Sequence, residues 1–362
     1  MKIAFLGDIA LIGKYNLNNN PNVRDEIEYL KKILKNYDYR VANLESPLTE
    51  RKSTFVCKSM HLKSSVVNVG VLKYLGIDAV TLANNHIMDF GRKGLEETIN
   101  VLENAKIKWY GIDGKELLIE KQGQKISFSG FCCYSTNGTG YCKTNNGKGI
   151  NLLTEESVFC QLKKDEKRNA FSVLSIHWGM EHTNYPAYEH ICLVKKIAMK
   201  KPVIIHGHHP HVIQGISNIN NSLIMYSQGN ALFDDCKSIN GKFEVALNEN
   251  NRKSFVMEVT IDHNKIQDYK EIGFYMGDIE IEPYNIQEEL LEASKKIQDI
   301  KNIGQYERLR KEQFQKVINE KFGKHNIQWL ISKMNYYAIG AKIQTYFRER
   351  MYKKEVKKFI RK

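Results

Sequence analysis

Asp78-Ala79-Val80-Thr81-Leu82-Ala83-Asn84-Asn85-His86-Ile87-Met88-Asp89-Phe90-Gly91 runs from an apolar strand straight into a polar cluster. Four other places repeat the device. Residues 3–6 lead into Gly7-Asp8, 39–42 into Asn43-Leu44-Glu45-Ser46-Pro47, 171–176 into His177-Trp178-Gly179, and 203–205 into His206-Gly207-His208-His209-Pro210-His211. In open α/β sheets the carboxyl ends of the strands converge on one crevice. Two acids, an asparagine and several histidines can therefore meet from distant parts of the chain. Carboxylate, amide oxygen and imidazole suit a Mn, Fe, Mg or Zn ion. The pattern predicts a metal-dependent hydrolytic site at the top of a sheet.

Working outward, short strands alternate with helical spacings. Strands are expected at 3–6, 39–42, 78–83 and 106–110, and helices at 24–34, 64–75 and 93–103. Ser64 or Ser65 can cap the second helix and Gly76 can stop it. Such alternation argues for βαβ units and a mainly parallel central sheet. Strands at 126–133, 171–176 and 203–205 and a helix at 188–199 continue the pattern. Strands at 222–226, 254–261 and 266–272 are expected near the far edge. Residues 134–151, rich in Gly, Asn, Ser and Thr, read as a long loop of the kind that is often functional. Beyond Glu282-Pro283-Tyr284 the signal is helical, at 287–299, 306–322 and 326–353. The expected division is a domain at 1–282 and a helical extension at 283–362.

The chain has 362 residues, 42% hydrophobic and 26% charged, as in an ordinary globular protein. No stretch approaches the ~20 apolar residues that span a bilayer, and Asp8 interrupts the short apolar run at the N-terminus. A cytoplasmic location is expected. Seven cysteines, odd in number and without a CxxC pair, read as free thiols. Net charge is +13, and residues 340–362 hold nine Lys/Arg against two Glu, which places +7 in that tail. If this tail is helical, Ile343, Tyr346, Phe347, Met351, Phe359 and Ile360 share an apolar stripe between cations. The stripe either packs on 326–334 or on the catalytic domain, or meets the inner membrane surface as a basic amphipathic helix. The body of the chain is only mildly basic, and nucleic acid is not the expected partner.

Taken alone, Gly7-Asp8 is a common turn and Glu45 a capping or surface carboxylate. Together they are two anions at the ends of neighbouring strands, and a carboxylate bridging two cations about 3.5–4 Å apart is what a two-metal hydrolase needs. Asn84-Asn85-His86 could simply cap the helix that follows. An amide oxygen is also an unusual ligand, a His one residue later can face a leaving group, and Asp89 can orient that ring. A lone His177 at a strand end would usually be structural. Four of the chain's 11 histidines lie between His206 and His211, and spacing does not decide which of them ligate. No GxSxG elbow, P-loop or GxGxxG follows a strand.

The order of these motifs, with Met180-Glu181, Val212, Gln214 and Tyr226-Ser227-Gln228-Gly229-Asn230, resembles the CapA family over roughly residues 1–235. These are capsule and poly-γ-glutamate biosynthesis proteins, relatives of the calcineurin-like metallophosphoesterases. The resemblance implies a four-layer α/β/β/α sandwich with a C-terminal helical extension, and a centre with one or two divalent cations. By motif, Asp8 resembles the first-strand ligand, Glu45 the bridging carboxylate and Asn85 the amide ligand. His177 resembles a ligand of the second metal, and His208 and His211 the pair from the last histidine loop. His86 resembles the general acid, with Asp89 beside it. Ala10 stands where phosphoesterases usually carry a His, and Glu45 where they carry an Asp; both are traits of CapA-type proteins. The implied partner is a cell-surface polymer or its precursor, cleaved or transferred at a phosphoester, acyl or amide bond. The rival expectation is a non-catalytic polymer-binding or assembly subunit.

Overall fold

The computed structural model describes residues 1–58, 60–137, 149–237, 244–322 and 336–361. Its first half runs β1 (Lys2–Ile9), α1 (Val23–Glu26), α2 (Glu28–Ile33), β2 (Tyr39–Leu44), α3 (Val69–Leu75), β3 (Ala79–Thr81), α4 (Gly91–Asn104), β4 (Lys108–Tyr110), β5 (Leu117–Lys121) and β6 (Gln124–Cys132). The second half runs α5 (Glu155–Lys167), β7 (Phe171–His177), α6 (Tyr188–Lys200), β8 (Val203–His208), β9 (Ile216–Ile219), β10 (Ser222–Met225), β11 (Asn230–Leu232), β12 (Cys236–Lys237) and β13 (Glu244–Val245). It closes with α7 (Glu249–Arg252), β14 (Lys253–Asp262), β15 (Lys265–Met276), β16 (Ile281–Pro283), α8 (Gln287–Gln298), α9 (Ile303–Phe322) and α10 (Tyr336–Ile360).

Two sheets form, as in the four-layer sandwich that the resemblance implies, where strand–helix alternation alone pointed to one central sheet. The first has the order β16-β15-β14-β1-β2-β3-β4, with β11 also paired to β1; the second has the order β5-β6-β7-β8-β10-β9. In each, the middle strands are parallel and antiparallel strands complete a side, β14, β15 and β16 in the first and β9 beside β10 in the second. Strand β14 lies directly against β1 and so is interior, not at the far edge.

The period of two along each strand sorts the core into layers. Ile3, Phe5 and Val41 of the first sheet meet Phe128, Val173 and Ile204 of the second in one buried cluster between the sheets. Their alternates Ala4, Leu6 and Ala42 pack under α1–α4, while Leu174, Ile176 and Ile205 pack under α5 and α6. The result is α/β/β/α. Helix 24–34 is broken into α1 and α2, and Gly76 stops α3 in the left-handed conformation at φ 73°.

The extension packs on this body. Leu290 of α8 joins the cluster between the sheets, and Ile297, Tyr306 and Phe359 join the outer cluster with α6. Residues 138–148 of the expected loop and 326–335 of the expected last helix lie outside the described residues. Among the described residues no helix is long and apolar enough to cross a membrane.

Candidate metal centre

Asp8 and Glu45 reach the same crevice because β1 and β2 are adjacent and parallel, with Asp8 opposite Asn43. Residues 226–229 run tight against both β1 and β8 here. A Cβ on Gly7 would lie 2.0 Å from the Gly229 carbonyl oxygen, and one on Gly207 equally near that of Tyr226. Only glycine allows the backbones before Asp8 and His208 to approach so far.

Asp8 is fully buried. Its Oδ1 accepts a hydrogen bond from Asn43 Nδ2 at 2.8 Å and lies 3.0 Å from His208 Nδ1. Its Oδ2 accepts from the backbone N–H of His209 at 3.0 Å and lies 3.6 Å from His211 Nδ1. Burial pushes the carboxyl up, but the hydrogen bond and charge of His208 hold it below the ordinary value. Glu45 is the opposite case. It is equally buried, yet neither carboxylate oxygen has a hydrogen-bond partner among the described residues. Burial, and next the charge of Asp8, push it well above the usual carboxylate range.

Imidazoles surround this orphaned carboxylate. His177 Nε2 lies 3.6 Å and His211 Nε2 3.5 Å from Glu45 Oε1. Two groups could each hold a cation: Glu45 with His177 and His209, and Asp8 with Glu45 and His211. Glu45 belongs to both, as a bridging ligand would. Burial first, and the neighbouring rings next, depress His177 and His209 far below the ordinary histidine value. Neutral imidazoles and an unpaired buried carboxylate are a donor set that a divalent cation satisfies. Asn85 Oδ1 lies 2.8 Å from His177 Nε2, at the edge of the first group.

The resemblance nominated His208; the ring grouped with Glu45 and His177 is that of His209. The cause is strand periodicity. His206 and His208 both stand on the face of β8 that looks toward β1, where His206 Nε2 meets the Leu6 carbonyl at 2.8 Å and His208 meets Asp8. His209 leaves the strand at φ 97° and His211 follows at φ 57°. Backbone of this kind costs of order 1–3 kcal/mol per residue and persists where its surroundings fix it. Here Asn230 Oδ1 meets His211 Nδ1 at 2.9 Å, and Asn251 Nδ2 donates to the His211 carbonyl at 2.9 Å.

His86 and Asp89 sit just beyond. His86 Nδ1 meets Asp89 Oδ2 at 2.6 Å, and Asn84 Oδ1 accepts from the backbone N–H groups of His86 and Ile87. Asn84 thus shapes the turn, while Asn85 faces the crevice. Sequence reasoning missed Lys58. Its buried ammonium donates to the Asn85 carbonyl at 2.7 Å and Asp89 Oδ1 at 2.9 Å, and lies 2.9 Å from His86 Nδ1. Burial, then the charge of Lys58, lowers His86 to about 4. Lys58 stands in residues 49–65, where no strand or helix period marks an inward side chain, so the sequence carried no signal for it. Asn43 was quoted in its motif without a role; it ties Asp8 to Asn84, whose Nδ2 donates to Asn43 Oδ1 at 3.0 Å. Ala10 is buried without a donor to offer, and Phe233 lies against the His211 ring at 4.9 Å.

Residues 2–235 match the family described as bacterial capsule synthesis protein PGA_cap. The chain belongs to that family. It is 28% identical over 243 residues to the PGA biosynthesis protein CapA of Bacillus subtilis, covering 65% of this chain and 63% of that one. It is 29% identical over 249 residues to the capsule biosynthesis protein CapA of Bacillus anthracis, covering 65% and 60%. The match therefore spans less than two thirds of either relative's length. Among solved structures it is similar to the calcineurin-like phosphoesterase YfkN of Bacillus subtilis, with 14% identity and a TM-score of 0.43 over 83% of this chain and 99% of that one. The PGA_cap match ends before β12, so α8, α9 and α10 lie outside it.

Proposed function

We propose that this PGA_cap protein acts in making capsule, poly-γ-glutamate or a related cell-surface polymer. Its chemistry would be metal-dependent hydrolysis or transfer at a phosphoester, acyl or amide bond. The observation that supports this most is Glu45, a buried carboxylate with no hydrogen-bond partner, shared between two groups of candidate ligands. Asp8, Glu45 and His211 would hold one cation, and Glu45, His177 and His209 the other, with Asn85 at its edge. Such an ion polarises a scissile oxygen and lowers the pKa of bound water toward neutrality. His86, neutral above about pH 4, has its Nδ1 directed at Asp89, so that Nε2 would first take a proton as a base and then return it to the leaving group. The polymer or its precursor is the proposed partner, met in the cytoplasm with α10 against the inner membrane surface.

One observation favours a non-catalytic, polymer-binding or assembly role: with Ala10 buried near the Asp8 side, that group has three protein donors and no fourth from position 10. Metal analysis of the purified chain separates the two, followed by turnover of phosphodiester, γ-glutamyl and acyl-sugar substrates. The enzyme reading expects bound Mn, Fe, Zn or Mg and turnover that Glu45→Gln abolishes together with the metal. Bound metal with polymer binding and no turnover would favour the assembly reading. A metal-free protein, or full metal content in Glu45→Gln, would remove the centre.

A further inference from the structure

We propose that the C-terminal extension completes the substrate site, with Arg348 of α10 forming a subsite for an oxyanion on the substrate, a carboxylate or a phosphate. A cavity of about 590 Å³ opens beside the metal centre. Its walls come from two sources. His209, Glu181 and Ser135 belong to the part of the chain that matches the family; Arg310, Arg348 and Tyr352 belong to the extension.

The charges in this cavity are not equivalent. Glu189 is engaged by the Tyr352 hydroxyl at 2.5 Å. Arg310 is engaged by Glu307 at 2.7 Å and by the Tyr185 carbonyl at 3.0 Å. Arg348 has no such counter-ion. Its Nη1 donates to the carbonyls of Ser135 at 2.8 Å and Tyr134 at 3.3 Å, and among the described residues no carboxylate pairs with it. The acids that act on it most, Glu349 and Glu181, stand outside pairing distance, and Glu181 lies 3.9–4.0 Å from the His182 and His209 rings. Arg348 is half-buried, anchored through Nη1, and lines the cavity. A planar fork with no carboxylate partner among the described residues, in a partly desolvated wall, is suited to a carboxylate or a phosphate.

The anchor joins this wall to the metal side. Ser135, whose carbonyl receives Arg348, also accepts through Oγ from the Gly179 backbone N–H at 2.9 Å, two residues after His177. Arg348 is therefore held in register with the loop that presents His177. A substrate bound through an oxyanion at Arg348 extends toward His209 and Glu45.

The inference rests on the proposed site but not on turnover, and binding tests it. Calorimetry on the metal-loaded full chain would compare an oligo-γ-glutamate, its methyl ester and inorganic phosphate. Arg348→Gln is expected to weaken the oligo-γ-glutamate, the phosphate or both by about tenfold or more, the usual worth of a charge-assisted hydrogen bond. Binding of the methyl ester should stay unchanged, and Arg348→Lys should restore part of the loss. Weakening of the oligomer alone assigns a carboxylate, and of phosphate alone a phosphoryl group. Equal binding by wild type and Arg348→Gln, or binding of neither probe by wild type, would overturn the subsite. So would loss of metal in Arg348→Gln, since Arg348 would then merely support the His177 loop. A chain that turns nothing over yet shows the Arg348-dependent loss keeps the subsite and loses only the enzyme reading.

Discussion

His208 and His209 are neighbours in the chain with different neighbours in space, and metal analysis of single variants separates their roles. His209→Ala is expected to lose one of two bound cations. His208→Ala should keep both with affinity reduced by roughly 10–100-fold, the usual effect of removing a group that supports a ligand, here Asp8. The reverse pattern would return His208 to the ligand set. His86→Ala should retain the metal and lose activity by roughly a hundredfold or more, as for a general acid or base; full activity or lost metal would contradict its role. The convergence of Asp8, Glu45, Asn85, His177 and His211 was legible in the sequence because all five follow strands that share one crevice. The identity of the remaining histidine was not, since Gly207-His208-His209-Pro210-His211 reads equally well in two registers. A backbone turn at φ 97° is what brings the His209 ring beside Glu45 and His177. Lys58 was illegible for another reason: a buried cation in irregular chain has no period to betray it.

Helix α10 has two faces with different surroundings. Phe359 is fully buried against α6, and the Tyr352 hydroxyl meets Glu189. Phe359→Ala should therefore lower the unfolding free energy by about 3–5 kcal/mol, read by denaturant titration; a change below about 1 kcal/mol would show that the helix is not docked in solution. Ile343, Tyr346 and Phe347 are 56–65% exposed, and Met351 and Ile360 are exposed as well. Packing on the body, one of the fates expected of the apolar stripe, is thus seen at Phe359, while the other five residues of the stripe are exposed. With basic side chains alongside, anionic lipid adds about 1 kcal/mol per nearby Lys or Arg. The full chain should co-sediment with anionic but not neutral vesicles, and Ile343→Ser, Tyr346→Ser and Phe347→Ser together should abolish this without unfolding. Equal sedimentation of the triple variant would remove the membrane role. Strands and helices were largely legible from periodicity; the split of helix 24–34 was not, because nothing local at Ile27 announces it. The interior place of β14 follows from sheet pairing, which local pattern does not encode.

Across the whole molecule, the four layers bury several neutral histidines, and acid should find them. His190 is stacked on Trp178 at 4.7 Å on the far side of β7, away from the candidate ligands. Burial lowers it from 6.5 to about 4, against the opposing charge of Glu189. The unfolded chain binds this proton near pH 6.5 and the folded chain only near pH 4. Its neutral burial therefore costs no stability above pH 6.5, and stability falls progressively as pH drops from there toward 4. His190→Phe should flatten that limb by up to about 1.4 kcal/mol per pH unit; an unchanged pH profile would contradict the assignment. A single sheet was the expectation from strand–helix alternation alone, which is blind to how many sheets the units form. The alternation of Ile3 and Phe5 against Ala4 and Leu6 already held two apolar faces, and a second sheet is what covers one of them. The proposed two-cation centre bridged by Glu45 can be seen directly if it exists. Anomalous diffraction from crystals grown with Mn tests it directly. Two peaks are expected, one among Asp8, Glu45 and His211 and one among Glu45, His177 and His209; no peak there, or peaks that leave Glu45 untouched, would rule out a Glu45-bridged pair of cations.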